Sequence, residues 1–345
     1  RDRLSLAASW TQPWAAIDAL DLLVYQQDSE TRQATDQYRL GDAQTPYPTL
    51  RAREFTYEQR SRGLELVAQA RSQWGDMAHW QVFGIDLTRH VHEGLRTGAQ
   101  INLNSGQSTN VVLGEVFPLR DFPHSDVQEL GVFWQDEIAF APRWTVVPGL
   151  RWERYALDSK ADSIWLQDNP QIALADLDNT QWTPKLGLRL NASDQATLYL
   201  QAVRGYRAPP FSDVNVGLYL PTFNYLVKPN PELKAERSLG LEAGLRWSGP
   251  ILHGSLAAYD NRFRDLIESR ANLGIDPATG AVIAAQPAES VNLNDVTIRI
   301  DPPLNGVRMA DALDAITKSA SSPIKITIED YAVVFMHKAP ERAQL

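Results

Sequence analysis

The sequence contains no cysteine among its 345 residues, which excludes disulfide bonds and thiolate metal sites. No stretch approaches the ~18 consecutive apolar residues of a membrane-spanning helix. The first residues, Arg1-Asp2-Arg3-Leu4, lack the apolar core of a signal peptide. A membrane role would therefore require a barrel of strands, because only helices and closed barrels satisfy every backbone polar group in lipid.

Positive charge is scarcer than negative charge, with 33 Lys and Arg against 42 Asp and Glu and a net charge of −9. No nucleic-acid partner is expected, because such a partner favours a basic stripe. Hydrophobic residues make up 43% of the chain, which predicts a folded protein. Ten Trp and eleven Tyr are present, and such aromatics concentrate at membrane–water interfaces.

Most of residues 1–265 alternate apolar and polar side chains, which is the period of a strand with two different faces. The clearest apolar face comprises Leu239, Leu241, Ala243, Leu245 and Trp247. Asp136 is an exception on the otherwise apolar face of residues 130–140. Residues 18–27 and 251–263 are apolar on both faces, which indicates a bulge or a register slip.

The alternating segments run to roughly ten residues, the length of a tilted membrane strand. Short links (141–143, 191–194, 248–250) are interspersed with long polar ones, which we expect to be loops (30–53, 158–181, 207–237). This asymmetry predicts an all-β fold, an antiparallel transmembrane β-barrel segment of about ten strands. A soluble β-sandwich binding protein also alternates, but its outer face would carry charges.

Three groups of motifs resemble TonB-dependent outer-membrane receptors, in particular the haem and haemoglobin receptor branch, over about residues 1–270. The first joins Leu130-Gly131-Val132-Phe133-Trp134-Gln135-Asp136-Glu137 to Val147-Pro148-Gly149-Leu150-Arg151-Trp152. The second is Thr183-Pro184-Lys185-Leu186-Gly187. The third pairs Tyr206-Arg207-Ala208-Pro209 with Pro229-Asn230-Pro231-Glu232-Leu233, boxes that flank a ligand-contacting extracellular loop in the family.

The resemblance implies a non-enzymatic receptor of the bacterial outer membrane that takes up an iron-bearing ligand, haem or a ferric siderophore, without an intrinsic cofactor. It also implies contact with outer-membrane lipid, and with the TonB complex through an N-terminal plug inside a 22-stranded barrel. No plug is recognisable in this sequence, and the strands number less than half of that barrel. We therefore expect the chain to be a fragment with an incomplete barrel.

The resemblance also places the ligand contacts in the loop between the two boxes. The candidates there are Tyr206, Arg207, Tyr219, Tyr225 and Asn230, with His124 in another expected loop. No histidine lies between Pro210 and Pro229, where the haem branch has an axial ligand. A tyrosinate can hold haem iron, so Tyr219 or Tyr225 is a candidate ligand, although tyrosines in a loop more often pack or stack. The missing histidine weakens the case for haem and leaves a siderophore or another ligand open. The alternative is that both boxes only shape the loop.

His90 and His92 are two residues apart on a predicted strand and therefore share a face. Two imidazoles on one face can form a metal pair. No third ligand is evident nearby, so we expect a polar lumen or loop position instead.

The C-terminal part has a different pattern. Residues 1–275 are assigned to the partial barrel and 276–290 to a linker. Residues 291–345 are predicted as a small α+β (β-α-β-β) module with a helix over 308–319. This module resembles secretin and STN-like periplasmic domains, which leaves open a secretion- or signalling-linked periplasmic interaction protein. The position of this module after the barrel indicates that the chain joins two parts of different origin, by fusion or in the assembly of the sequence.

Overall fold

A computed structural model describes residues 1–43, 45–269, 271–275, 282–285, 296–298, 324–329 and 332–337. These residues form twenty strands and three short helical segments. The strands are β1 (Asp2–Trp14), β2 (Ile17–Arg39), β3 (Thr49–Trp74), β4 (Met77–Asn102), β5 (Ser108–Thr109), β6 (Val111–Val112), β7 (Glu115–Val116), β8 (His124–Ala141), β9 (Trp144–Lys160), β10 (Leu177–Asn191), β11 (Ala196–Arg207), β12 (Leu218–Leu220), β13 (Tyr225–Lys228), β14 (Glu236–Ser248), β15 (His253–Arg264), β16 (Ala271–Ile275), β17 (Val282–Ala285), β18 (Val296–Ile298), β19 (Ile324–Glu329) and β20 (Ala332–His337). The helical segments are α1 (Ser163–Asp168), α2 (Phe211–Asn215) and the 3₁₀ helix η1 (Pro221–Phe223).

One large antiparallel sheet dominates the described residues, in the order β1-β2-β3-β4-β8-β9-β10-β11-β14-β15-β18, with β5 paired to β4. Within that part of the chain β1 and β18 do not pair with each other, so the sheet is not closed. The predicted all-β fold with an incomplete barrel is confirmed. None of the described helical segments is long and apolar enough to cross a membrane.

Three strands are much longer than the roughly ten residues expected of a membrane strand. β2 has 23 residues, and β3 and β4 have 26 each. The loop predicted over residues 30–53 is wrong, because β2 and β3 stay paired from Glu30↔Glu58 to Arg39↔Thr49. These extensions are polar on both faces, so the period-2 signal disappears there although the ladder continues. The register of β2 with β3 is also unbroken over residues 19–39, so residues 18–27 contain no bulge in that ladder.

The apolar side chains of neighbouring strands meet on one face of the sheet. Leu66 is paired with Ile85, and Ile85 is paired in turn with Val132. Farther along the sheet, Leu188 is paired with Leu200. These side chains are not packed between two sheets; Leu200, for example, is 54% exposed. The β-sandwich alternative is therefore wrong, because a sandwich buries this face against a second layer.

Tryptophans mark the rim of the barrel segment that carries the short turns. Trp14, Trp74, Trp144 and Trp247 lie beside the turns at 15–16, 75–76, 142–143 and 249–252, and all four are exposed. The long connections leave the opposite rim. Aromatic girdles and this unequal distribution of loops are features of outer-membrane barrels, so the loop asymmetry seen in the sequence is confirmed.

Asp136 interrupts the apolar face, and two neighbouring side chains bond to one of its carboxylate oxygens. The carboxylate is buried, with Oδ2 2.8 Å from Nδ1 of His79 and 3.1 Å from Nε2 of Gln81, which donates to it. The Trp74 ring lies 4.4 Å from that of His79. A polar cluster near the short-turn rim is thus shielded by the aromatic girdle, which limits the cost of a carboxylate on this face.

Two short strands connect the predicted linker and C-terminal module to other parts of the chain. β17 lies within the predicted linker and pairs in parallel with β13. β18 lies within the predicted module and pairs with β15 of the large sheet. β19 and β20 form an antiparallel hairpin, whereas the predicted helix over 308–319 lies outside the described residues. The domain boundaries and the secretin-like resemblance remain predictions.

The two faces of β11 are predicted to differ in their tolerance of charge. Leu200→Arg places a cation on the apolar face and is expected to destabilise the protein by about 2–4 kcal/mol, the cost of Arg at the midplane of a bilayer. The measurement is urea unfolding in phospholipid vesicles. Gln201→Arg, on the opposite face of the same strand, is the matched control and is expected to change little. Equal destabilisation by both changes would contradict the two-faced arrangement.

Candidate functional site

The connection between β11 and β14, residues 208–235, folds back over the inner face of the sheet. Its buried Val214 and Leu233 pack with Val127 of β8 and with Tyr155 and Leu157 of β9. Those three residues alternate with the apolar outer band and therefore point to the opposite side, the lumen. The connection is thus held inside the curve of the sheet at the long-loop rim.

Asn215, at the end of α2, ties this connection to a neighbouring one. Its side chain is fully buried. Nδ2 donates to Oγ of Ser159 at 2.8 Å and to the carbonyl oxygen of Ala175 at 2.7 Å. Oδ1 accepts the Ala175 amide at 2.8 Å. Three hydrogen bonds from one buried amide fix the position of the loop relative to the β9–β10 connection.

A cavity of about 380 Å³ lies where the connection leaves β11. Charged side chains of both signs line it, and most of them are paired. Arg151 donates two hydrogen bonds to Asp86, at 2.7 and 2.9 Å, and one to Glu153 at 2.6 Å. Arg207 donates to Oε1 of Glu236 at 3.0 Å, with the arginine side chain 58% exposed. The hydroxyl of Tyr206 is buried without a hydrogen-bond partner in the described structure. The cavity therefore contains a partly exposed guanidinium, paired on one side with Glu236, beside the buried phenol of Tyr206.

The structure brings together only two of the predicted site residues, Tyr206 and Arg207. Tyr219 is 51% exposed and lines a second cavity of about 530 Å³, with Arg96 and Arg120. Tyr225 packs against the small apolar cluster of Val216 and Val227.

Tyr219 and Tyr225 stand on neighbouring strands but one position out of register, since Tyr219 pairs with Leu226 and Tyr225 with Leu220. Side chains one position apart project from opposite faces of a ladder. The two tyrosines therefore do not converge on one point in this arrangement.

Asn230 and His124 have structural partners outside the first cavity. Asn230 is buried, and its Oδ1 accepts the Glu232 amide at 2.9 Å, which is turn chemistry. His124 lies between two carboxylates, 3.7 Å from Glu93 and 3.5 Å from Asp162. Burial alone would raise the pKa of Asp162, but hydrogen bonds from the Trp165 amide and the Arg120 guanidinium lower that pKa below its ordinary value. An anionic Asp162 thus caps α1 and holds Arg120 at 2.8 Å.

Four aromatic rings that were not proposed as ligand contacts line the cavity, those of His90, His92, Tyr155 and Phe211. The expected shared face of His90 and His92 is found, and it is the lumenal one. The His92 ring stacks on Phe211 of α2, with centroids 4.1 Å apart and planes 13° apart. The i, i+2 spacing of the two histidines predicts from the sequence that they share a face. Phe211 follows Pro209-Pro210 outside any periodic pattern, so the sequence does not predict its position at the cavity.

Comparison with known proteins identifies this architecture. The family model "TonB dependent receptor-like, beta-barrel" matches residues 1–299. The chain belongs to this family. Members of the TonB-dependent receptor barrel family are outer-membrane proteins, and that is the location of this chain.

Similar proteins include receptors for iron-bearing ligands. The ferric enterobactin receptor of Pseudomonas aeruginosa is 26% identical over 45% of this chain and 19% of its own length. The hemoglobin and hemoglobin-haptoglobin-binding protein B of Haemophilus influenzae is 28% identical over 30% of this chain and 9% of its own length. The solved copper transporter OprC shares the fold, with a TM-score of 0.57 and 19% identity over 86% of this chain and 41% of that chain. These matches cover well under half of each relative.

The three hydrogen bonds of the Asn215 side chain lead to a stability prediction. Asn215→Ala removes three hydrogen bonds and leaves buried partners unsatisfied, at a cost of roughly 1–3 kcal/mol for each unsatisfied group. The loss is expected to loosen the 208–235 connection and to speed its cleavage in limited proteolysis, with the barrel strands still protected. Lys228→Ala, an exposed position in the same connection, is the control. An unchanged cleavage rate in Asn215→Ala would show that these hydrogen bonds do not hold the 208–235 connection in place.

Proposed function

We propose that the chain forms part of the barrel wall and of the extracellular ligand-binding face of a receptor that takes up an iron-bearing ligand, haem or a ferric siderophore. The observation that carries this proposal is the inward fold of the 208–235 connection above a lumenal cavity. In outer-membrane barrels the longer connections are extracellular, so the cavity opens on the path of an incoming ligand.

The chemistry of the cavity suits such ligands. Haem carboxylates and the oxygen donors of siderophores both present anionic oxygens. The partly exposed guanidinium of Arg207 can donate to them. The buried, unpartnered hydroxyl of Tyr206 can do so once its side chain turns toward the cavity. The names of two relatives, a ferric enterobactin receptor and a hemoglobin-binding protein, favour the same ligand class.

In this proposal the protein binds its ligand and does not transform it. Outer-membrane lipid covers the apolar outer band. Uptake is driven by the TonB complex acting through a plug, as in the intact family. Tyr219, Tyr225, Asn230 and His124 remain proposed contacts, reached as the ligand passes over the outer part of the loop region.

Ligand binding by the full 345-residue chain, refolded in detergent micelles, tests the proposal. Quenching of tryptophan fluorescence by haem and by ferric enterobactin gives the affinities. Arg207→Ala and Tyr206→Phe are each expected to weaken binding about tenfold, since a hydrogen bond to a charged group contributes about 1.5–3 kcal/mol.

Tyr199→Phe is the matched control, because its hydroxyl donates to Glu242 at 2.7 Å elsewhere in the lumen. Tyr219→Ala and Tyr225→Ala test the outer contacts in the same titration. Absence of binding to either ligand would overturn the proposal. Wild-type affinity in both Arg207→Ala and Tyr206→Phe would show that this cavity is not the ligand-binding site.

A further inference from the structure

We propose that His90 and His92 form a metal-binding pair in the lumenal wall, for a first-row transition metal that arrives with exchangeable coordination positions. The two imidazoles project from one face of β4 into the cavity described above. Imidazole is a preferred ligand of copper, zinc, nickel and haem iron. This inference rests on the proposed function and narrows its ligand class.

The spacing of the two rings fits a shared ion. Their centroids are 5.9 Å apart. A metal at 2.0–2.1 Å from a ring nitrogen lies about 3 Å from the centroid of that ring. Two rings on opposite sides of one ion therefore span about 6 Å, whereas two rings at adjacent positions of a tetrahedral or square-planar ion span about 4–5 Å. Side-chain rotation has to bring the rings closer for the second arrangement.

Both rings are already oriented by hydroxyl groups of β3. Nδ1 of His92 lies 2.8 Å from the hydroxyl oxygen of Tyr57, and Nδ1 of His90 lies 2.8 Å from Oγ of Ser61. In the tautomer with Nδ1 protonated, each ring donates to its hydroxyl and keeps a lone pair on Nε2. Metal-bound histidines are fixed by such a second hydrogen bond. Gln59 Nε2 supports the arrangement by donating to the same Ser61 oxygen at 3.1 Å.

The protein supplies only part of a coordination sphere. In the described portion of the chain, no group of three or more His, Asp or Glu side chains is placed to hold a metal. The remaining ligands must come with the metal, which fits a cargo in transit better than a structural ion. A ferric siderophore that already fills six positions with oxygen donors leaves no place for imidazole. Haem iron has two axial positions outside the porphyrin plane, and a hydrated divalent cation has several exchangeable waters, so both can accept the two imidazoles.

The histidine pair also contacts the 208–235 connection. Because His92 stacks on Phe211, a metal bound at its Nε2 would sit beside α2 and the start of the 208–235 connection. Metal binding at the pair would therefore change the contact between His92 and the connection that covers the cavity.

The test is a titration of the full chain in detergent with Cu²⁺ and, separately, with hemin. Nitrogen hyperfine splitting in the Cu²⁺ electron paramagnetic resonance spectrum reports imidazole ligation, and a low-spin ferric spectrum reports imidazole on haem. His90→Gln and His92→Gln are each expected to weaken binding at least tenfold, and the double variant to abolish the signal. His253→Gln, at an exposed short turn, is the control and keeps wild-type binding.

The outcomes separate the two sources of metal. Loss of the hemin spectrum in the variants supports haem as the source, and loss of Cu²⁺ ligation alone supports a free cation. If His92→Gln disturbs the stack on Phe211, His90→Gln and Ser61→Ala still test the pair. The inference is overturned if the two single histidine variants, the double variant and Ser61→Ala all bind as the wild type does. It is also overturned if the wild type shows no nitrogen ligation. Ferric enterobactin binding that survives in these variants leaves the proposed function standing.

Discussion

One constraint governs this structure: neighbouring strands pair their backbone groups while their apolar side chains collect on one face, the arrangement that a barrel wall in lipid requires. Pairs such as Leu66 with Ile85 and Leu188 with Leu200 run across neighbouring strands and build that face. The polar exception, Asp136, is tolerated because His79 and Gln81 bond to it under the Trp74 ring. Other charged pairs on this face, such as Arg262 with Asp260 and Arg89 with Asp126, lie toward the long-loop ends of the strands.

The lumenal face follows from the same alternation. It collects paired charges such as Arg151 with Asp86, and it provides the apolar platform of Val127 and Leu157 on which the long connection packs. A binding site therefore forms where a loop folds inward over a wall that is already polar. The site depends on the hydrogen bonds that join Asn215 to the β9–β10 connection and on the stacking of His92 on Phe211.

The sequence predicted the barrel class and the asymmetry of its loops because strand alternation is local information. It failed at residues 30–53, where β2 and β3 extend beyond the apolar band and both faces are polar. The predicted ligand contacts remain a prediction, and the structure distributes them: Tyr206 and Arg207 line one cavity, whereas Tyr219 lines another. Contacts such as Phe211 on His92 join residues far apart in the chain, and periodicity carries no information about them.

The absence of native cysteine allows the central claim to be measured directly. Single cysteines placed in turn at residues 196–202 of β11 carry a nitroxide label in vesicles, and the accessibility of each label to oxygen and to a water-soluble nickel chelate is recorded. Oxygen, which partitions into lipid, is expected to reach the even positions, and the nickel chelate the odd ones, with a period of two. Equal access of the nickel chelate to all seven positions would contradict an outer face in contact with lipid.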